Sequence, residues 1–147
     1  MVTFRDARRE DLPAIVALLA DDMIGAGREA AVDDVYRAAF DQIADDPRSR
    51  LIVAEEGGSV AGTLQLTLLP GLSRHGMLRA QIEAVRVAAP ARGQGLGRAM
   101  IEWAIGQARE HGCGLVQLTS DKRRGDAVRF YESLGFSASH EGLKLPL

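Results

Sequence analysis

Cysteine is almost absent: Cys113 is the only one in 147 residues. An intramolecular disulfide is thereby excluded, and with no second thiol to complete a zinc knuckle no structural metal is expected. Cys113 follows Gly112 directly at a predicted helix end and reads as a small packing residue. Histidine is scarce as well. His75, His111 and His140 lie far apart, and none forms the i, i+4 pair that would set two imidazoles on one helical face. No apolar run approaches the ~20 residues of a membrane span, and the opening MVTFRDARRE lacks the apolar stretch of a secretory signal. The expectation is a cytoplasmic protein without membrane association. A basic excess is missing too. The formal net charge of −2 argues against nucleic acid as a partner, since binders of that class present a basic face.

What is present is an ordinary globular composition, 46% hydrophobic and 26% charged. The length suits one domain over residues 1–147, with no internal repeat. Val2 to Arg5 alternates like a strand, and Leu12, Ile15, Val16 and Leu19 recur at helical spacing after Pro13. Val32, Val35, Tyr36, Ala39, Phe40 and Ile43 give a second helical stripe that stops before Pro47. Leu51–Glu56 and Val60–Leu69 flank Gly57-Gly58 as a hairpin, and the loop PGLSRHG follows. Met77–Ala88 reads as a strand and Leu96 to Gly112 as a helix. Leu115–Thr119 is a further strand, Asp126–Leu134 a short helix stopped by Gly135, and Phe136–Leu145 terminal extended chain. A hairpin followed by strands that alternate with helices predicts an α/β fold. Its mixed, largely antiparallel sheet is covered by helices on both faces.

The stretch ARGQGLGR, Ala91 to Arg98, joins a strand to a helix through alternating glycines. Such a junction is an anion site, because unpaired backbone N–H groups converge where the helix dipole favours negative charge, and glycine lets a phosphate come close. A Walker loop would need a lysine after its last glycine, and none follows. A dinucleotide fingerprint counted from Gly93 would need its third glycine where Arg98 stands. The remaining pattern, R-x-x-G-x-G at Arg92, Gly95 and Gly97, is similar to the acetyl-CoA pyrophosphate loop of the GNAT superfamily of N-acetyltransferases. Two further segments carry the same resemblance: the strand IEAVRV (Ile82–Val87) upstream, and AVRFYESLGF (Ala127–Phe136) downstream.

The resemblance implies acetyl-CoA as co-substrate. Val85, Arg86 and Val87 would run alongside pantetheine, Val85 and Val87 contacting it through the main chain. Arg92, Gly93, Gln94, Gly95, Leu96, Gly97 and Arg98 would hold the pyrophosphate. Family members often carry an asparagine seven residues before the tyrosine; Arg124 stands there, within Lys122-Arg123-Arg124. That run either contacts a phosphate of coenzyme A or is a solvated turn.

Acetyl transfer to an amine needs a neutral nucleophile, a stabilised oxyanion and a proton for the leaving thiolate. An alkylammonium of pKa ~10.4 leaves only about one molecule in a thousand as free base at neutral pH, so a carboxylate or a water chain must take its proton. By resemblance, Glu83 is the base, directly or through water, and Tyr131 protonates the thiolate. A strand bulge could aim the Val85 N–H at the carbonyl oxygen. The acceptor side is less defined. Seven aspartates between Asp21 and Asp46 form either an attractive rim for a cation or plain solvated surface, and Ser73-Arg74-His75 with Arg79 could hold an acidic group. The reading that fits best is an N-acetyltransferase acting on a small-molecule primary amine. A peptide acetyltransferase and a non-catalytic acyl-CoA sensor are the alternatives. A homodimer is expected, with Gly142–Leu145 as an exposed edge strand limited by Pro146.

Overall fold

Gly57 and Gly58 take φ of 59° and 80°, left-handed values that a two-residue hairpin turn demands and that glycine adopts without a Cβ clash. They join β2 (Ser49–Glu56) to β3 (Ser59–Leu69), whose antiparallel ladder starts at Glu56↔Ser59. The computed structural model describes residues 1–147, the side chain of Met23 excepted. The chain divides into two compact units, Met1–Gln117 and Leu118–Leu147.

In the first unit β1 (Val2–Asp6) leads through a 3₁₀ turn at Arg9–Asp11 into α1 (Leu12–Ala20). Pro13 suits the first turn of that helix, where its missing N–H costs nothing. A four-residue α2 (Met23–Ala26) that the apolar periodicity does not reveal comes next. Then comes α3 (Asp34–Asp45), capped by Asp33, whose carboxylate accepts from the N–H groups of Val35 and Tyr36. After β3 the expected loop contains one helical turn, α4 (Ser73–Gly76), with Arg74 and His75 at φ of 56° and 62°. The unit finishes with β4 (Arg79–Val87), a 3₁₀ turn at Ala89–Ala91, α5 (Leu96–Glu110) and β5 (Leu115–Gln117).

The strands lie in the order β1-β2-β3-β4-β5, antiparallel except for the parallel β4–β5 pair that the α5 crossover requires. One face packs on α5. A Cβ built on Gly62 would lie 2.7 Å from the Met100 sulfur, and Phe4 meets Trp103 at 5.5 Å between ring centroids. The other face carries α1 and α3. Ile52, Leu64, Ile82, Met100 and Ile101, each at most 1% exposed, form the centre of the core. At the sheet's outer end Arg5 bridges two acids, binding Asp11 at 2.8 and 3.1 Å and Glu55 at 3.4 Å. Asp11 also accepts the Arg8 N–H at 2.7 Å.

The second unit holds a 3₁₀ turn at Lys122–Arg124 and α6 (Ala127–Ser133), which ends before Gly135 at φ 99°. The terminal chain departs from expectation. Phe136–Leu145 forms no strand, and Gly142–Leu145 is no edge strand, so the premise of strand pairing for a homodimer falls away. Alternating apolar residues describe a strand only when a neighbouring edge supplies ladder bonds. Here Leu143 and Leu145 are 93% and 83% exposed. No helix is long and apolar enough to cross a membrane among the described residues.

Candidate active site

The centre of the site is a break in the β3–β4 ladder. Gln65 pairs with Glu83 and Thr63 with Arg86, so Leu64 alone on β3 faces both Ala84 and Val85 on β4. Two residues opposite one make a β-bulge, and Ala84 absorbs the extra length with φ of 54°, a left-handed value unusual for a residue with a side chain. Beyond the bulge the strand's free edge becomes available. The Ala88 N–H donates to the Ala61 carbonyl at 2.7 Å. Main-chain groups alternate between edges, so Val85 and Val87 aim theirs the opposite way, toward β5. But β5 has already diverged, its pairing ending at Gln81↔Gln117. The carbonyls of Val85 and Val87 instead accept side-chain hydrogen bonds, from Arg86 Nη1 at 2.9 Å and Arg92 Nε at 3.1 Å.

That edge runs into the glycine loop. Gly93 and Gly95 have φ of 77° and 81°, and a Cβ on either would meet open space. Gly95 is the N-cap of α5 and provides no capping side chain, so the N–H groups of Leu96, Gly97 and Arg98 form the helix's open end. The Leu96 side chain is buried and anchors the turn, and Gln94 holds it from outside by donating to the Pro90 carbonyl at 3.1 Å. The arginines are already engaged. Arg92 pairs with Asp21 at 2.9 Å, Arg98 with Glu102 at 2.9 Å, and the largely buried Arg86 lies 3.7 Å from Asp22. Asp21 and Asp22, grouped in the sequence with an acidic rim, are therefore counter-ions to the arginines of the β4–α5 segment.

Glu83 is exposed on the α1 face, directly opposite Gln65. It stands at the end of a chain of donors: Arg79 to Gln117 at 3.0 Å, Gln117 to Gln81 at 3.0 Å, and Gln81 to the Glu83 carboxylate at 3.5 Å. Every donor in that chain points toward Glu83. Beside it, a cavity of about 180 Å³ lies between α1, α3 and the sheet, with Gln65 and Ala84 in its wall. A larger, more open hollow of about 410 Å³, bounded by Arg9, Leu12 and Arg37, shares no residue with the bulge or the loop.

In the second unit Tyr131 is half-buried on α6, edge-on to Phe130 at 5.1 Å and to Phe136 at 5.8 Å. Within the basic run Arg123 is bound to Asp121 at 2.8 Å, Lys122 lies 3.7 Å from Glu141, and Arg124 is half-buried. The Arg123 guanidinium holds the Asp121 carboxyl well below the usual range. Cys113 is half-buried, and burial pushes its thiol pKa up, which disfavours the thiolate form.

The sequence profile of the Acetyltransferase (GNAT) family matches residues 12–136. The chain belongs to this family of acetyltransferases. Among its relatives is the aminoalkylphosphonate N-acetyltransferase of Salmonella typhimurium strain LT2, 29% identical over 92% of this chain and 85% of that protein. An acetyltransferase structure from Trypanosoma brucei is 27% identical with a TM-score of 0.83 over the full length of both chains. A crystal structure from Bacillus halodurans C-125, described as a transcriptional regulator, is 49% identical with a TM-score of 0.97, again over all of both chains. GNAT membership accounts for the mixed sheet with helices on both faces. The bulge residue Ala84 escapes a sequence reading, because the glycine that usually advertises a left-handed turn is not used there.

Proposed function

We propose that this GNAT acetyltransferase moves an acetyl group from acetyl-CoA to the primary amine of a small molecule by direct attack. The observation that carries the reading is the β4 edge: released from β5 after Gln81, ahead of the bulge, it leads past the bulge into an open helix N-terminus. An extended amide-bearing arm such as pantetheine can pair with Val85 and Val87 there, its pyrophosphate meeting the N–H groups at the start of α5. The thioester carbonyl then lies at the bulge, where the Val85 N–H stabilises the oxyanion. Glu83, directly or through water, takes one proton from the ammonium, and the amine lone pair attacks the carbonyl carbon. Collapse of the tetrahedral intermediate breaks the C–S bond, and the thiolate takes the phenolic proton of Tyr131. The nitrogen then loses its second proton to water, leaving the acetamide and free coenzyme A. Glu83 releases its proton to solvent and the Tyr131 phenolate takes one back, so one proton is released net. Arg92 and Arg98 exchange carboxylate partners for the pyrophosphate, Arg86 runs alongside pantetheine, and Arg124 supplies a further cation for coenzyme A.

Support for a small acceptor comes from the relative that acetylates an aminoalkylphosphonate. A second reading, an acyl-CoA-binding regulator, draws on the Bacillus halodurans structure described as a transcriptional regulator. Release of free thiol from acetyl-CoA, followed across a panel of amines and peptides, decides between them. Amine-dependent thiol release is expected. Tight coenzyme A binding with no turnover on any acceptor would favour the regulator.

A further inference from the structure

α3 is an amphipathic helix without a packed core beneath it. Its apolar stripe of Tyr36, Phe40 and Ile43 faces the sheet, yet among the described residues none on this helix is buried. Beneath the stripe is the cavity of about 180 Å³, closed on its other side by Leu12, Ile15 and Leu19 of α1. Protein interiors seldom leave such a volume empty, and a cavity of roughly 150 Å³ lined by apolar side chains is enough to bind benzene. An exposed ion pair, Arg9 to Asp41 at 2.6 Å, ties the outer face of α3, a weak restraint that lets the helix adjust to what lies below.

Resting on the acetyl-transfer reading, we propose that this cavity receives the hydrocarbon portion of the acceptor, a primary amine bearing a short alkyl or aryl group. The chemistry of the wall selects that class. No charged side chain lines the cavity among the described residues. The Thr63 hydroxyl is committed to the Ile52 carbonyl at 2.8 Å, and the Tyr36 hydroxyl donates to Glu29 while accepting the Ala30 N–H. A phosphate, phosphonate or sugar placed there would lose its hydration with only the Gln65 side-chain amide to replace it. Position fits as well. Ala84 and Gln65 form the end of the cavity nearest the reacting centre, and Gln65 is the ladder partner of Glu83. An amine whose tail fills the cavity would therefore present its nitrogen at the bulge. Each methylene buried strengthens binding about fourfold.

The test is a series from propylamine to pentylamine with phenethylamine, set against aminoethylphosphonate, reading both thermal stabilisation and thiol release from acetyl-CoA. Affinity should rise about fourfold per methylene until the cavity is full. Ala39→Phe, which narrows the cavity from α3, should move the optimum to shorter amines, and Phe40→Ala should move it to longer ones. The same affinity across the series, in the parent and in both variants, overturns the proposal. Hydrocarbon amines that bind as predicted but are not acetylated uphold the cavity assignment and overturn the acetyl-transfer reading. Acetylation of aminoethylphosphonate without binding of any hydrocarbon amine does the reverse.

Discussion

At the scale of single residues, Tyr131 and Glu83 can be distinguished by how their removal depends on pH. Tyr131→Phe keeps the ring that meets Phe130 and Phe136 and removes the phenolic hydroxyl with its proton. Its kcat should fall roughly 10²- to 10⁴-fold with little change in acetyl-CoA affinity, as measured by single-turnover kinetics and calorimetry. Glu83→Gln removes a base needed only while the acceptor is protonated, so its deficit should shrink as pH rises toward the amine's own pKa. A deficit equal at every pH would mean that Glu83 is not the base. Both residues could be singled out as candidates from the sequence because they sit in segments whose order of residue types resembles a family signature. Ala84 was not. A left-handed alanine is a consequence of the ladder around it, and nothing in the letters IEAVRV marks which residue will be squeezed out of register.

For the elements, the junction between β4 and α5 was the most readable part of the chain, since glycine spacing reports backbone geometry directly. At Gly95 the φ of 81° matters more than space, because a Cβ there meets no protein atom. Gly95→Val should therefore strain the turn by about 1–3 kcal/mol and set a branched side chain where phosphate approaches. Calorimetry should show acetyl-CoA binding lost, while equal affinity in the variant would remove the loop from the binding site. The relation of α3 to the sheet was hidden. Periodicity shows that a helix has an apolar face but cannot show whether that face meets packed side chains or a cavity. The C-terminal residues misled for a related reason: Leu143 and Leu145 alternate as in a strand, but a strand also needs an edge to pair with.

The whole molecule's stability should carry the signature of one buried carboxylate. Asp11 is 7% exposed and accepts from Arg5 and from the Arg8 N–H. The hydrogen bond from the Arg5 side chain, more than any other contact, holds its carboxyl below the usual range against the opposing effect of burial. Because the folded pKa lies below the unfolded value of about 3.9, the stabilisation is complete above that value and is lost as pH falls through the lower, folded one. Asp11→Asn should cost about 2–3 kcal/mol at neutral pH by leaving Arg5 with one partner fewer. The gap between variant and parent, read from denaturant unfolding, should close only in strong acid. A gap independent of pH would place the cost in packing rather than charge. The pair itself could not be anticipated: Arg5 and Asp11 are two of many charges in a polar opening segment, and only the fold makes them neighbours.

The bulge on β4 also sets how evolution can edit this strand. Before it, Glu83 shares a face with Gln65; after it, Arg86 shares that same face with Thr63, although three positions separate the two. In an unbroken pleat an odd separation would place them on opposite faces. Deleting Ala84 would leave Val85 alone opposite Leu64 and restore the pleat with Glu83 and Arg86 two positions apart, still on one face. The deletion would remove the bulge itself and the left-handed turn that re-aims the main chain there. Pulling the strand flat without removing a residue would invert half of it at once, whereas a single-codon deletion would keep every face and abolish the bulge. The count of residues between Ile82 and Val87 therefore decides whether this strand has a bulge at all.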